Sequence, residues 1–132
     1  MEFAWHVHHD TLVEPLTEPL PERQAFIRQH KPTNEIDLRL RLLQLVQGQL
    51  PAAVKRAGAT YKQAAATYWR AGVAVWQAAA TYKQAAATYW RAGVAYKQAV
   101  DTHKVEIEAL HAQECPNCPW DGESIFPKAQ GQ

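Results

Sequence analysis

The chain has 132 residues, of which 47% are hydrophobic and 20% charged, and its formal net charge is +1. This length favours a single domain with room for an elongated appendage. The composition excludes the highly charged, disordered class of proteins, and no apolar run of about 18 residues predicts a membrane span. The first residues contain neither a basic nor an apolar leader segment, so we expect a cytoplasmic protein with no membrane partner.

Residues 1–50 predict a small α+β head made of a strand, a helix and a strand. Segments 3–7 and 36–42 both alternate apolar side chains with polar or small ones, a pattern that is typical of strands. Segment 21–30 begins with proline and carries an acid in its first turn, which predicts a helix. As an alternative, residues 36–46 instead form a short leucine-rich helix capped by Asn34.

An internal repeat dominates the middle of the chain. The sequence TYKQAAATYWRAGVA occurs at 60–74 and again at 81–95, so the two copies are displaced by 21 residues, which is three heptads. Over residues 54–99, a heptad register places Val or Tyr at every a position and Ala at every d position. This pattern predicts a long heptad-repeat helix.

The predicted helix covers about 52–113 within a rod domain of 51–114, and an extended tail of 115–132 follows it. At about 1.5 Å per residue, such a helix is roughly 90 Å long. The predicted fold class is therefore mainly α, with the small α+β head at the N-terminus. The alternative is a three-helix bundle in which the chain breaks at Gly72 and Gly93.

The long helix is small or apolar around most of its circumference, and only its c positions are consistently polar. A helix of this kind is not stable as a lone solvated rod, because it leaves apolar surface on more than one side. We therefore predict a homo-oligomer. Its predicted interface contains the aromatic residues at the a and b positions and one valine, namely Tyr61, Tyr68, Trp69, Val75, Trp76, Tyr82, Tyr89, Trp90 and Tyr96.

Charge is segregated along the chain. Residues 38–100 contain nine cations and no acid, whereas residues 1–37 carry seven acids against three cations, and residues 101–132 carry six against two. Either the acidic ends of one chain lie against the basic middle of another, or the basic helix face meets nucleic acid or an acidic protein. The tryptophans between the cations suit either base stacking or packing between helices. The candidate polyanion-binding residues are Lys62, Arg70, Lys83, Arg91 and Lys97.

The tail contains the chain's two cysteines, Cys115 and Cys118, in the sequence CPNC. Two cysteines this close cannot form the disulfide framework of a secreted domain. The sequence resembles half of a zinc knuckle of the kind found in zinc ribbons and rubredoxin-like sites, which implies two thiolate ligands. Reduced structural cysteines are the leading interpretation, and a zinc site and a redox dithiol are the alternatives. A zinc site would be completed by His6, His8 or His9 from the same or another chain, or by the cysteine pair of a second subunit. A site shared by His8 and the cysteines forms most easily between two antiparallel chains, because the rod separates head from tail.

Three functions follow from these features. No catalytic motif occurs, and a duplicated block offers no unique group of side chains. The leading hypothesis is therefore a non-enzymatic structural or adaptor protein that forms a helical homo-oligomer. The second is a protein that binds nucleic acid or another anionic partner, and the third is a metal-dependent enzyme at the head. Solution mass, salt-dependent retention on single-stranded nucleic acid and bound zinc distinguish the three.

Overall fold

The computed structural model describes residues 1–73 and 79–126, and these form five helices and one small antiparallel sheet near the N-terminus. This mainly helical architecture confirms the predicted fold class at its coarser level. The strands are β1 (Phe3–Trp5), β2 (Val13–Pro15) and β3 (Gln44–Leu45), and the helices are α1 (Leu20–His30), α2 (Thr33–Leu42), α3 (Ala52–Val73), α4 (Ala79–Thr102) and α5 (Lys104–Glu114). None of these helices combines the length and the hydropathy that a membrane crossing requires.

The chain divides into two units. The terminal unit comprises Met1–Gln49 together with Ala109–Gln132, and the hairpin unit comprises Leu50–Glu108. Within the terminal unit, the tail packs on the N-terminal residues, because the buried Ile125 donates its amide hydrogen to the carbonyl oxygen of His9 at 2.9 Å. The terminal unit therefore brings the two ends of the sequence together.

The sheet of the terminal unit has the strand order β2-β1-β3, and β1 pairs antiparallel with both neighbours. Ala4 lies opposite Glu14 on one side and Leu45 on the other. All residues of β1 are buried. The predicted strand over 3–7 is confirmed as far as Trp5, and the predicted helix over 21–30 is confirmed as α1.

The second predicted strand of the head, over 36–42, is wrong, because these residues lie in α2. The alternative prediction of a helix over 36–46 is correct as far as Leu42, whereas residues 44–45 form β3. Asn34 lies inside α2 and does not cap it. The alternating leucines suit a helix here because α2 packs between two core clusters. Ile36 and Leu40 contact the cluster that includes residues of β1 and α1, whereas Leu38 and Leu42 belong to the cluster that includes the tail. Residues four apart share one face of a helix, so each cluster receives one such pair.

Helices α3 and α4 pack against each other in antiparallel orientation. Tyr61 stacks on Tyr96 with ring centroids 5.7 Å apart, and the ring centroids of Tyr68 and Tyr89 are 4.9 Å apart. In one straight helix, Tyr61 and Tyr96 would be about 50 Å apart. The predicted single helix over 52–113 is therefore wrong. Each helix covers apolar surface of the other, so the chain itself supplies the partner that the amphipathic pattern requires.

The alternative prediction was a three-helix bundle broken at two glycines, and it is correct only near the first of them. Helix α3 ends at Val73, directly after Gly72, whereas Gly93 lies inside α4. A Cβ atom at Gly93 would lie 3.2 Å from a ring carbon of Tyr61, so this glycine permits close helix approach and does not form a turn. A second interruption, at His103, separates α4 from α5.

The contact between α3 and α4 is built largely from small side chains. Alanine lets two helix backbones approach closely, and the tyrosine rings fill the space beside them. Coiled-coil character stays a prediction. The buried apolar residues described on the two helices are Val54, Ala64, Ala65, Ala85, Ala92 and Tyr96.

Candidate metal centre

Four side chains of the terminal unit converge on one point. His6, His111, Cys115 and Cys118 each offer one ligand atom, and these atoms all lie within 4.8 Å of one another. The Nε2 atom of His6 is 3.0 Å from Nε2 of His111 and 3.2 Å from the Cys118 sulfur. Both histidines and Cys115 are buried, and Cys118 is half-buried. The two ends of the sequence thus form one compact group of two nitrogen and two sulfur atoms.

Local backbone structure positions each of these side chains. His111 and Cys115 are one helical turn apart at the end of α5, so they share a face of that helix. His6 directly follows β1 and has a φ of 52°, and Asn117, between the two cysteines, has a φ of 58°. Among the described residues these are the two non-glycine positions with positive φ. Such conformations cost roughly 1–3 kcal/mol each and cluster at functional sites.

A hydrogen bond fixes which nitrogen of His6 faces the group. Its Nδ1 atom lies 3.3 Å from the carbonyl oxygen of Thr11. A carbonyl oxygen only accepts hydrogen bonds, so this contact places the proton of the neutral ring on Nδ1 and leaves a lone pair on Nε2. A carbonyl partner on the second nitrogen is the usual way in which proteins orient a metal-binding histidine. His6 is therefore oriented as a ligand.

Apolar and aromatic side chains enclose the four ligands. The ring centroid of Trp5 is 5.1 Å from that of His111, and the ring centroid of Trp120 is 5.2 Å from that of His6. Cys115 also packs in a cluster with the buried residues Leu42 and Ile125. This surrounding shell limits the access of water to the ligand atoms.

Burial opposes charge on two members of the group, His6 and Cys115. Burial lowers the pKa of His6 to about 4, and repulsion from a protonated His111 acts in the same direction, while the Thr11 hydrogen bond opposes both. Burial and the neighbouring Cys118 together raise the pKa of Cys115 to about 12, although the charge of Arg41 acts in the opposite direction. A neutral imidazole is already in its ligand form, whereas a thiol must lose its proton on coordination.

The distances between the ligand atoms suit a tetrahedral metal ion. With metal–nitrogen and metal–sulfur bonds of about 2.0 and 2.3 Å, the ligand atoms of a tetrahedral zinc site are about 3.3–3.8 Å apart. The two distances from His6 Nε2, 3.0 and 3.2 Å, are slightly below this range, and no pair exceeds 4.8 Å. Small side-chain adjustments therefore suffice, and the residues fit such an ion.

Glu114 links the end of α5 to the N-terminal part of the unit. Its Oε1 atom accepts hydrogen bonds from the indole of Trp5 at 3.3 Å and from the amide of Gln47 at 2.6 Å, and its Oε2 atom accepts from the amide of Gly48 at 2.9 Å. Because Glu114 precedes Cys115, these bonds hold the cysteine end of α5 against β1 and the segment after β3.

Three of the four predicted metal ligands are brought together, and one is not. His6, Cys115 and Cys118 belong to the group, whereas His8 is half-exposed and its Nδ1 atom contacts Glu14. His9 contacts Ser124 instead. The four ligand atoms come from one chain, so a site shared between antiparallel chains is not needed. The predicted distance between head and tail depended on the single helix, which the structure replaces with a hairpin.

His111 is the ligand that sequence reasoning missed. The signal was its spacing from the first cysteine, since His-x-x-x-Cys places both residues on one face of a helix. The prediction ended the long helix at about residue 113 and placed Cys115 in an extended tail, so it did not put these two side chains on one helix face.

The predicted interface residues of the repeat lie partly between the helices of one chain and partly on its surface. Four tyrosines, at 61, 68, 89 and 96, contact one another across α3 and α4. These contacts lie within one chain, and the homo-oligomer stays a prediction. Trp69 and Trp90 are 64% and 74% exposed. Val75, Trp76 and the side chain of Tyr82 lie outside the part of the chain that the structure describes.

The predicted polyanion-binding residues are distributed over the hairpin surface. All five are exposed or, in the case of Lys62, half-buried. Arg70 and Arg91 each lie near the hydroxyl of a threonine one turn earlier. Lys97 contacts Asp101 at 3.0 Å in an exposed ion pair, which contributes at most about 1 kcal/mol.

Comparison of the chain with protein-family models, with curated proteins and with solved structures found no match. The functional argument therefore depends on the geometry of the site and of the hairpin surface.

Proposed function

We propose that the chain is a non-enzymatic adaptor protein, in which one structural zinc ion stabilises the terminal unit and the hairpin unit supplies a surface for a partner. The observation that carries this proposal is the convergence of four ligand atoms, from His6, His111, Cys115 and Cys118, within 4.8 Å of one another. Two imidazoles and two thiolates are a ligand set that zinc commonly takes in structural sites.

The number of ligands supports a structural role. A catalytic zinc ion keeps one coordination position open for water or substrate, whereas four protein ligands fill a tetrahedral site. Three of the four side chains are buried, and Trp5 and Trp120 lie against the two histidine rings. These features weigh against a metal-dependent enzyme at the head.

The terminal unit also has a small core, so a zinc ion that links its segments would add to its stability. Its sheet consists of strands of two or three residues, and a core this small supplies little stability of its own. A ligand that binds only the folded state stabilises it by roughly 4 kcal/mol when its concentration is about 1,000 times its Kd. Zinc held by these residues would connect β1, α5 and the tail.

The zinc content of the full chain tests the proposal. Elemental analysis and native mass spectrometry should find one zinc ion per chain, and Co²⁺ in its place should give the visible absorption of a tetrahedral site with sulfur ligands. The double variant Cys115→Ser/Cys118→Ser should lose the metal and about 4 kcal/mol of the free energy of unfolding. His111→Ala should also lose the metal.

His8→Ala is the matched control, because His8 is a neighbouring histidine that contacts Glu14 and not the cysteines. This variant should retain the metal and nearly all of its stability. A full chain that takes up no zinc when refolded with excess Zn²⁺, and whose melting a chelator does not change, would contradict the zinc site.

An anionic partner is the second candidate function for the hairpin unit, and the exposed pairs Trp69–Arg70 and Trp90–Arg91 favour it. Salt-dependent retention on single-stranded nucleic acid and on an acidic peptide separates the two kinds of partner.

A further inference from the structure

A groove on the hairpin unit combines large apolar side chains with exposure to solvent. It has a volume of about 590 Å³ and lies between α3 and α4, where its lining includes Tyr68, Tyr89, Gly93, Val94 and Lys97 together with Trp90. Trp90 is 74% and Val94 is 41% exposed. Exposed apolar side chains beside a groove mark sites where proteins bind a partner.

The charge of the hairpin unit restricts the kind of partner. No Asp or Glu occurs in residues 38–100, and Lys97 lies in the groove while Arg91 is exposed beside Trp90. A complementary surface therefore has apolar side chains flanked by carboxylates. The hairpin unit as a whole has eight cations and three acids, one of which, Asp101, pairs with Lys97. A second copy of the hairpin would bring the same excess of positive charge and would be repelled.

The tyrosines of the groove are less suited to nucleic acid. The ring planes of Tyr61 and Tyr96 differ by only 12°, and Tyr89 packs against both Tyr61 and Tyr68. Their faces are thus occupied by one another, whereas binding of single strands needs aromatic faces on which bases can stack.

The dimensions of the hairpin favour a helix as the occupant. Helices α3 and α4 contain 22 and 24 residues, so each is about 35 Å long. A third helix of about 20 residues would match this length. Leucines spaced three and four residues apart on this third helix would pack against Trp90 and Val94. Amphipathic helices bind in the apolar grooves of other proteins in this way.

We infer that the groove lined by Tyr68, Tyr89, Trp90 and Val94 binds an acidic amphipathic helix of a partner protein. This inference deepens the adaptor role proposed above, and it involves none of the proposed metal ligands. The apolar face of the bound helix covers Trp90, and its flanking carboxylates lie near Lys97 and Arg91.

The test uses a fluorescent peptide of about 20 residues that forms one amphipathic helix with leucine on one face and glutamate on the others. Anisotropy titration with the zinc-loaded full chain should show saturable binding that weakens as salt is raised. A peptide with lysine in place of glutamate should bind at least about 10-fold more weakly. A peptide of the same composition interrupted by proline should bind weakly as well, because it cannot form the helix.

The repeat provides a matched pair of variants. Trp69 and Trp90 occupy the same position in the two copies and are both exposed, but Trp90 lines the groove. Trp90→Ala should raise the Kd for the acidic peptide about 30-fold. Trp69→Ala should change it less than about 2-fold. Circular dichroism and zinc content should show that both variants keep their fold.

Three outcomes would overturn the inference. These are equal effects of the two tryptophan variants, preferential binding of a single-stranded oligothymidine over the acidic peptide, and self-association of the chain that depends on Trp90. If a chain that holds one zinc ion does not bind the peptide, the groove is refuted as a binding site and the proposed metal site still stands. Peptide binding by a chain that takes up no zinc when refolded with excess Zn²⁺ would refute the metal site and leave the groove.

Discussion

The terminal unit and the hairpin unit are held together by different kinds of interaction. In the terminal unit, single side chains bind distant segments, as Glu114 binds three donors and Arg23 donates to the carbonyl oxygen of Val7 at 3.1 Å. In the hairpin unit, stacked tyrosines and packed alanines make most of the described contacts between helices. A non-repeated sequence therefore builds one specific site, whereas a repeated sequence builds an extended surface.

The repeat also makes the hairpin nearly symmetric. Tyr68 and Tyr89, which pack together, occupy equivalent positions in the two copies, and Ala64 and Ala85 are another equivalent pair that lines one groove. Over the repeated residues the two helices have the same sequence and pack antiparallel, so this part of their interface is self-complementary. The helix face that pairs within the chain thus also fits a second copy of itself.

Removing one copy of the repeat should change the hairpin most. Deletion of residues 60–80 keeps the heptad register and would be tolerated by a single long helix. In the hairpin it removes most of α3, so the remaining copy has no partner in its own chain. We expect this variant to dimerise through the self-complementary face, whereas the full chain should have its monomer mass of 14.9 kDa. Light scattering after size exclusion measures both masses.

Deletion of residues 60–69 is the control for this experiment. It shortens the same helix but is out of phase with the heptads, so it should lower the helix content without producing a defined dimer. If the 60–80 deletion variant is a monomer that unfolds as cooperatively as the full chain, the hairpin is not what stabilises this unit. A full chain with twice the monomer mass would instead support the predicted homo-oligomer.

Local patterns in the sequence predicted some elements of the fold correctly. The buried strand β1 and the helix α1 are determined by alternation and by proline within a few residues, so they could be recognised. Helix α2 was ambiguous, because alternating leucine and arginine fit a strand and also a helix that packs on two sides. The hairpin could not be predicted because residues 74–78, which connect α3 to α4 in the sequence, include no Gly, Pro, Asn or Asp.

The metal site was predictable only in part, for a related reason. The cysteine pair is a local signal, but its partners His6 and His111 lie 109 and 4 residues before Cys115. The first contact depends on the folding of the terminal unit, which no local pattern encodes. The choice between His6 and His8 depended on the backbone after β1, where the positive φ of His6 is a property of the folded chain.

Glu114→Gln should produce the second largest effect and would test how the terminal unit is linked. The amide that replaces one carboxylate oxygen cannot accept a hydrogen bond, so at least one of three donors loses its acceptor. We expect the free energy of unfolding to fall by about 1–3 kcal/mol, because the side chain loses its charge and at least one charge-assisted hydrogen bond. Urea unfolding measures this change, and competition with a chelator should show weaker zinc binding.

The control for Glu114 is Glu108→Gln, since Glu108 makes an exposed ion pair with Lys104 at 3.8 Å. Its removal should change the free energy of unfolding by less than about 0.5 kcal/mol. Equal effects of the two substitutions would mean that the bonds from Glu114 do not hold α5 to the N-terminal segments.

The smallest effect concerns one hydrogen bond in the hairpin unit, where the hydroxyl oxygens of Tyr61 and Tyr89 are 3.3 Å apart. Tyr61→Phe and Tyr89→Phe keep both rings and remove the hydroxyls, so a double-mutant cycle isolates this bond. We expect a coupling of about 0.5–1 kcal/mol in urea unfolding. A double-mutant cycle between Tyr61 and Trp69 should give no coupling free energy. In one straight helix the two tyrosines would be about 40 Å apart and could not be coupled, so a coupling of this size would require that α3 and α4 pair in solution.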